Sequence, residues 1–258
     1  MAEITAALVK ELRDATGIAM LKCKKALEES NGDLEKARDI LRKAGESDAA
    51  KRAERSVCEG VVAIKISDDE KKAVALQLFC ETDFVAKNAE FVALADALAA
   101  DALAGEDVVN SGKEKITAAI QKNGENIKIG EVQIVEAATV ASYLHSNKKI
   151  GVLVAGTGKA EILSDIAMQI AAMNPSVISP DEVATEEVAK ETEIQKEILA
   201  KEGKPAEMIE KILAGKLRKF REEKSLLKQS FVKDSSKTVE QFLAENSAQV
   251  EKFVRLAV

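Results

Sequence analysis

The feature that most constrains the fold is a repeated order of patterns, in which two strands and then a helix follow one another along the chain. In its first occurrence, residues 61–66 and 73–80 have strand character and are separated by the charged turn 67–70. Apolar residues then recur at helical spacing over 88–103, and a weaker helical pattern follows over 111–122. Two strands joined by a short turn pair as an antiparallel hairpin, and a helix with one apolar face covers one side of the sheet. This order therefore predicts an α+β fold with antiparallel strands.

The same order returns later in the chain. Strand patterns cover 132–136 and 150–155, and a helical pattern over 160–173 ends at Asn174-Pro175. Both occurrences predict the same kind of unit. We therefore expect a core made of two related α+β halves.

The first 45 residues contain three short amphipathic segments, each followed by a glycine. Glycine readily adopts the left-handed conformation that ends many helices, so Gly17, Gly32 and Gly45 predict three helix ends. The apolar stripes of these helices form a core that is too small to be stable without further contacts. We expect a three-helix module that docks on something else, followed by a polar linker over 49–59.

A densely charged segment interrupts the second half. Two helical patterns lie on either side of the Gly-Lys-Pro sequence at 203–205, which predicts an antiparallel helical hairpin. Strand character at 231–232 and 250–257, around a helical segment at 238–244, indicates that the chain then returns to the second half. The hairpin is therefore an insertion, and it could stay a solvated surface feature, pack on a second copy in a homodimer, or contact a partner.

These patterns divide the chain into four parts. They are a three-helix module with its linker (1–56), an amino-terminal α+β half (57–140), a carboxy-terminal α+β half (141–180 and 229–258) and the inserted helical hairpin (181–228). Alanine, leucine, lysine and glutamate dominate and only 3% of the residues are aromatic, so helix should outweigh strand.

Composition argues against several classes of function. Charged residues make up 32% of the chain but nearly cancel, and a net charge of -6 offers no broad attraction to nucleic acid or anionic lipid. No run approaches the roughly 20 apolar residues that span a bilayer, and the start at Met1 lacks a signal-peptide pattern, so we expect a cytoplasmic protein without a membrane partner. Cys23, Cys58 and Cys80 are too far apart in sequence for a CxxC site, which predicts free thiols.

Enzyme chemistry has little support in the sequence. The segment 156–160, Gly-Thr-Gly-Lys-Ala, lacks the first glycine and the final Ser or Thr of a phosphate-binding loop, so it predicts only a strand-to-helix turn. His145 is the only histidine, and no nucleophile elbow of the GxSxG type is present. We therefore predict that the protein is not an enzyme, holds no metal and needs no cofactor.

One segment, residues 82–88, has two possible interpretations. In the structural interpretation, which the pattern alone favours, Thr82, Asp83 or Asn88 caps the following helix and Phe84 fills the core. In the functional interpretation, the segment is an exposed tip at the end of a strand. The residue pattern leaves both possibilities open.

This segment reads Thr-Asp-Phe-Val-Ala-Lys-Asn and resembles a signature of the elongation factor Ts family. Other landmarks of that family follow in the same order, so the resemblance extends over nearly the whole chain. They lie at 12–17, 23–27, 31–33, 143–145, 150–154 and 203–205.

The resemblance implies a fold and a partner. The fold would be a ubiquitin-associated-like three-helix module, a two-part α+β core and a coiled-coil hairpin, and the partner would be the GTPase elongation factor Tu, whose release of GDP the family promotes. Asp83 and Phe84 would press in near the partner's magnesium site and displace the ion, while Thr82 and Val85 would shape this tip. His145 would contact the partner near its phosphate-binding loop.

The sequence departs from the family pattern at two places. Residues 16–21 read Thr-Gly-Ile-Ala-Met-Leu where the family often has Thr-Gly-x-Gly-Met-Met, so we expect altered contacts there, with Met20 as the best candidate. Longer members continue beyond the 253–255 region into a terminal helical module, whose contact we expect to be missing from a chain that stops at Val258. Two other classes of function stay open: a general interaction protein that binds through its first module, and an enzyme with an unrecognised site.

Overall fold

The computed structural model describes residues 4–201 and 206–258, and its first three helices form a bundle. They are α1 (Ala6–Thr16), α2 (Met20–Glu29) and α3 (Leu34–Arg52). α1 ends at Gly17, whose φ of 68° is left-handed, and the side chain of Asp33 begins α3 by accepting a hydrogen bond from Lys36 N. All three helices contribute to one apolar core, which contains Val9, Leu12, Ile18, Cys23, Ala26, Leu27, Ala37 and Leu41.

The prediction that Gly45 ends the third helix is wrong, because α3 continues through it to Arg52 and includes residues 49–52 of the predicted linker. Glycine inside a helix costs about 1 kcal/mol relative to alanine, but it also permits close packing. A Cβ at Gly45 would lie 2.8 Å from Oε1 of Gln121, a buried side chain whose Nε2 donates a hydrogen bond to the Leu41 carbonyl oxygen at 2.6 Å. Gly45 therefore marks where the bundle docks on the rest of the molecule.

The first sheet contains the predicted hairpin and one further strand. Its strands are β1 (Glu59–Ile66), β2 (Lys72–Cys80) and β3 (Lys128–Glu136), all antiparallel, with β2 in the centre. The helices between β2 and β3 are α4 (Asp83–Ala86), α5 (Ala89–Leu103), α6 (Val108–Ser111) and α7 (Lys113–Asn123). α5 covers one face of this sheet, and its apolar side chains share a buried cluster with those of β1 and β2.

The second sheet repeats this arrangement. Its strands are β4 (Thr139–Leu144), β5 (Ile150–Thr157) and β8 (Gln249–Ala257), again antiparallel with the second strand in the centre. α8 (Ala160–Met173) covers one face and ends at Asn174, whose φ is 47°. The strand predicted at 132–136 belongs to the first sheet, not to the second. In the second unit of two strands and a helix, β4 occupies the position predicted for that strand. β4 is not predicted because its sequence, Thr-Val-Ala-Ser-Tyr-Leu, lacks the run of branched apolar residues that marks a buried strand.

The helices α9 (Thr185–Lys201) and α10 (Ala206–Lys224) pack antiparallel, which confirms the predicted hairpin. Its predicted turn, Gly203-Lys204-Pro205, lies outside the described residues. The hairpin leaves and rejoins the core at one point, where Ser176 N donates to the Lys224 carbonyl oxygen at 3.0 Å and Leu226 N donates to the Val177 carbonyl oxygen at 2.9 Å. The chain then continues through β6 (Ser230–Phe231), β7 (Asp234–Thr238) and α11 (Val239–Glu245) to β8.

The two sheets pack face to face on the sides that the helices leave uncovered. The interface contains Val62, Ala73, Ala75 and Val135 from the first sheet and Val140, Leu153, Ala155 and Leu256 from the second. The approach is close at Gly151, where a Cβ would lie 2.5 Å from Cγ1 of Val62. Val62 N donates a hydrogen bond to the Lys148 carbonyl oxygen at 2.7 Å, which ties β1 to the turn between β4 and β5. The predicted α+β class with antiparallel sheets is confirmed.

We expect Gly151→Ala to lower the free energy of unfolding by about 1–3 kcal/mol, because the added methyl group overpacks the interface between the sheets. The matched control is Gly215→Ala in α10, where, among the described residues and apart from the adjacent helix backbone, no atom lies within 4 Å of the added Cβ. This control should raise the free energy of unfolding by up to about 1 kcal/mol, because alanine favours helix. Urea unfolding followed by circular dichroism measures both, and equal stability of the two variants would contradict close packing at Gly151.

Candidate functional site

Residues 82–88 form a short helical turn at the end of β2. Thr82 begins α4: its backbone is extended, with φ −126° and ψ 155°, and its hydroxyl oxygen accepts a hydrogen bond from Val85 N at 3.4 Å. Asn88 begins α5 in the same way, by accepting from Glu90 N at 2.8 Å. Thr82 and Asn88 are therefore helix caps, as the structural interpretation predicts.

Phe84 does not fill the core, so the other part of the structural interpretation is wrong. The residue is 82% exposed, whereas Ala86 is buried and Val85 is partly buried in the apolar cluster under the first sheet. An aromatic side chain gains about 1.5–3 kcal/mol on burial, so an exposed ring on an ordered turn is a candidate contact for another molecule. We call residues 82–85, which carry this ring, the tip.

Asp83, beside Phe84, is a carboxylate held by a neighbouring cation. Its Oδ2 accepts a hydrogen bond at 2.6 Å from Nζ of Lys87, one helical turn further on. This hydrogen bond lowers the pKa of Asp83 and raises the pKa of Lys87. Asp83 therefore stays negatively charged at neutral pH.

His145 lies in the turn between β4 and β5 and is exposed. Its Nδ1 lies 3.0 Å from the hydroxyl oxygen of Tyr143, two residues earlier on β4. When this hydroxyl donates to Nδ1, the neutral ring carries its proton on Nε2, which is then available to another molecule. Tyr143 therefore orients His145. Sequence reasoning misses this role because β4 is not recognised as a strand, on which residues two apart share a face.

Asp83 and the turn that carries His145 border the same groove. The groove has a volume of about 310 Å³. Residues of α4 and of the turn line it together with β1, and they include Asp83, Ala86, Lys87, Ser146, Asn147, Lys148 and Lys149. The packing of the two sheets thus brings the tip and His145, predicted separately, to neighbouring parts of one surface.

Met20 lies elsewhere, on the three-helix bundle. It is the first residue of α2 and is 51% exposed. Together with the exposed Leu21 it borders a largely apolar groove of about 680 Å³, and the described residues that line this groove lie between residues 4 and 24. Met20 therefore belongs to a second surface, separate from the groove beside the tip.

These surfaces are typical of a protein-binding factor. An exposed aromatic ring beside a fixed charge is suited to anchoring in a partner, and an apolar groove offers a further docking surface. Within residues 4–201 and 206–258, no helix is long and apolar enough to cross a membrane.

Comparison with known proteins identifies the family. The family model described as Elongation factor TS matches residues 81–258. The elongation factor Ts of Vibrio parahaemolyticus is 47% identical over 262 residues, which cover 100% of this chain and 92% of the relative. The elongation factor Ts of Hydrogenovibrio crunogenus is 47% identical over 269 residues, which cover 99% of this chain and 91% of the relative. The chain therefore belongs to the elongation factor Ts family, and its role is that of a translation elongation factor.

The cysteine beneath the tip should be unreactive in the folded protein. Burial raises the pKa of Cys80 to about 12, and the negative charge of Glu125 contributes to the shift. Cys58 is exposed, whereas Cys23 is buried. We expect iodoacetamide at about pH 8 to modify only Cys58 in the native protein, because the thiolate is the reactive form, and to modify all three thiols in urea.

Mass spectrometry of tryptic peptides measures which thiols have reacted. The matched control is Cys58→Ser, which should take up no reagent while it is folded. Rapid modification of Cys80 in the native protein would show that this end of β2 is not buried as described.

Proposed function

We propose that this protein is a guanine nucleotide exchange factor that acts in the cytoplasm on elongation factor Tu. It binds the GDP-loaded GTPase, disturbs the magnesium and phosphate site and promotes release of GDP, so that GTP can bind. The observation that carries the proposal is Phe84, which is 82% exposed on an ordered turn beside the charged Asp83. Membership of the elongation factor Ts family supports the choice of partner.

Phe84 supplies the anchor of the complex. A buried aromatic anchor contributes about 2 kcal/mol or more to an interface. Inserted between packed elements of the GTPase, the ring shifts those that support the magnesium ion, because packed elements move between discrete arrangements. Thr82 and Val85 shape the turn from which the ring projects, the first as its cap and the second as its partly buried support.

Asp83 and the displaced ion account for the loss of affinity for GDP. Magnesium neutralises negative charge on the nucleotide phosphates, so its departure weakens phosphate binding. Asp83 brings a carboxylate that stays ionised, because the hydrogen bond from Lys87 lowers its pKa. This negative charge next to the nucleotide site disfavours the phosphates further once the ion has left.

His145 and Met20 complete the contact surface. His145 reaches the phosphate-binding loop of the partner, and the hydrogen bond with Tyr143 leaves its Nε2 available there. Met20 and its groove on the bundle give an apolar contact away from the nucleotide site. This second contact adds affinity, because a tethered second site binds at a high effective concentration.

Exchange of this kind forms and breaks no covalent bond, so the protein acts without enzyme chemistry and without a cofactor of its own. Linkage constrains the mechanism: a factor that weakens GDP binding is itself bound more weakly by the GDP-loaded partner, by the same coupling free energy. GDP and the factor therefore displace one another. Rebinding of nucleotide releases the factor for another cycle.

Release of a fluorescent GDP analogue from elongation factor Tu, with magnesium present, tests the proposal. We expect the unmodified protein to accelerate release. Phe84→Ala should lose roughly 30-fold of that acceleration, which corresponds to an anchor of about 2 kcal/mol.

The matched control is Val109→Ala, which shortens an apolar residue that is 55% exposed on α6, beyond the opposite end of α5. This variant should act at the rate of the unmodified protein. If the unmodified protein does not accelerate release, the proposed function is wrong. If Phe84→Ala accelerates release equally, the ring has no part in the mechanism.

A further inference from the structure

A carboxylate that no sequence pattern singles out holds the base of the tip. Glu125 lies in the loop between α7 and β3, directly after Gly124, which ends α7 with a left-handed φ of 76°. It is one of 44 acidic residues in the chain, and it is separated from the tip by α5, α6 and α7 along the sequence. Only the fold brings the two together.

One carboxylate group satisfies three donors at the point where β2 ends. Oε2 of Glu125 accepts hydrogen bonds from Glu81 N at 3.1 Å and from Thr82 N at 3.0 Å, and Oε1 accepts from the Thr82 hydroxyl at 2.6 Å. Hydrogen bonds to an ionised acceptor are shorter and stronger than those between neutral groups. The backbone that enters the tip is therefore fixed by a side chain from another part of the chain.

The same contact sets the direction of the Thr82 hydroxyl. Because this hydroxyl donates its proton to Glu125, its lone pairs are free to accept from Val85 N and cap α4. α4 has only four residues, so it lacks the run of internal hydrogen bonds that makes a longer helix stable by itself. The orientation of the turn that carries Phe84 thus depends on Thr82, and that of Thr82 on Glu125.

Neighbouring groups hold Glu125 in place. The next residue, Asn126, is buried; its backbone N donates to the Glu81 carboxylate at 2.6 Å, and its Nδ2 donates to the Arg55 carbonyl oxygen at 2.7 Å. The Arg55 guanidinium lies 3.4 Å from the same Glu81 carboxylate. The loop is therefore linked both to the end of β2 and to the segment that follows α3.

We propose that Glu125 is a positioning residue for nucleotide exchange, which acts through Thr82 by holding the tip in its binding orientation before the partner arrives. The proposal rests on the proposed function. A contact group held in place in advance loses less conformational freedom on binding, and small misplacements of such a group reduce rates severely. Glu125 itself touches neither nucleotide nor magnesium in this mechanism.

The test compares Glu125→Ala and Glu125→Gln, each in the 258-residue chain, in the GDP-release assay. We expect Glu125→Ala to lower the maximal release rate at least about tenfold, because misplacement of a preorganised group costs one to two orders of magnitude. Its half-saturating concentration should change less, since the groove at Met20 is intact. Glu125→Gln should recover most of the rate, because its amide oxygen still accepts from both backbone donors and its NH2 group can donate to the Thr82 hydroxyl oxygen.

A double variant separates positioning from a general loss of stability. If Glu125 acts through the tip, Glu125→Ala should have no further effect in the Phe84→Ala background, because residues that act as a unit are not additive. Losses that multiply would overturn the proposal, and so would a rate for Glu125→Ala equal to that of the unmodified protein. The matched control is Glu131→Ala, which removes an exposed carboxylate that accepts a hydrogen bond from Gln133, away from the tip, and should leave the rate unchanged.

A second readout needs no partner. The chain contains no tryptophan, so Phe84→Trp places a single fluorescent reporter at the tip. Adding Glu125→Ala should speed the decay of its fluorescence anisotropy, whereas adding Glu131→Ala should not. If the unmodified protein does not accelerate the release of GDP from elongation factor Tu, the proposed function is wrong. Separately, an anisotropy decay that Glu125→Ala leaves unchanged would overturn the positioning role.

Discussion

The structure depends on the apolar contact between its two sheets. A helix covers one face of each sheet, so the other apolar face of each sheet is buried only if the two sheets pack on each other. Valine and alanine dominate this interface, and Gly151 lets the second sheet approach Val62 closely. Because the sheets meet in this way, α4 and the turn before β5 border one groove, although they are far apart in sequence. The candidate site is a product of this packing.

The tip combines an uncovered ring with a firmly held base. Apolar packing against the ring itself would cover Phe84, so the turn is held from below, by the packing of Val85 and Ala86 and by polar contacts. The polar contacts are Glu125 on the backbone, Thr82 on the first turn, and Cys80, whose Sγ donates to the Thr82 carbonyl oxygen at 3.2 Å. Burial keeps this thiol protonated and therefore a donor. Directional bonds hold the backbone where a hydrophobic contact would have hidden the side chain that the partner is proposed to bind.

Local signals in the sequence predict local structure well. Two apolar segments around a charged turn predict the hairpin of β1 and β2, and helical periodicity predicts α5 and α8. The caps at Asn88 and Asn174 lie where expected. The wrong and missing predictions have one cause, which is contact between residues far apart in sequence. Gly45 has the sequence signature of a helix end, but its actual role is to make room for Gln121. The link between Glu125 and Thr82 likewise joins residues that no short window contains. The tip is conspicuous as a motif, whereas the residues that support it become visible only when the chain is folded.

The strand order has a consequence for how the protein emerges during synthesis. The first sheet is complete once residue 136 has been made, whereas β5 must wait for β8 at 249–257. Until then the second half lacks an edge strand, although α9 and α10 can already form from local contacts. By joining residues 177 and 225, the hairpin shortens the effective loop that β8 must close, and the entropic cost of closure rises with loop length. The inserted hairpin therefore lowers the entropic cost of adding the last strand, β8, to the second sheet.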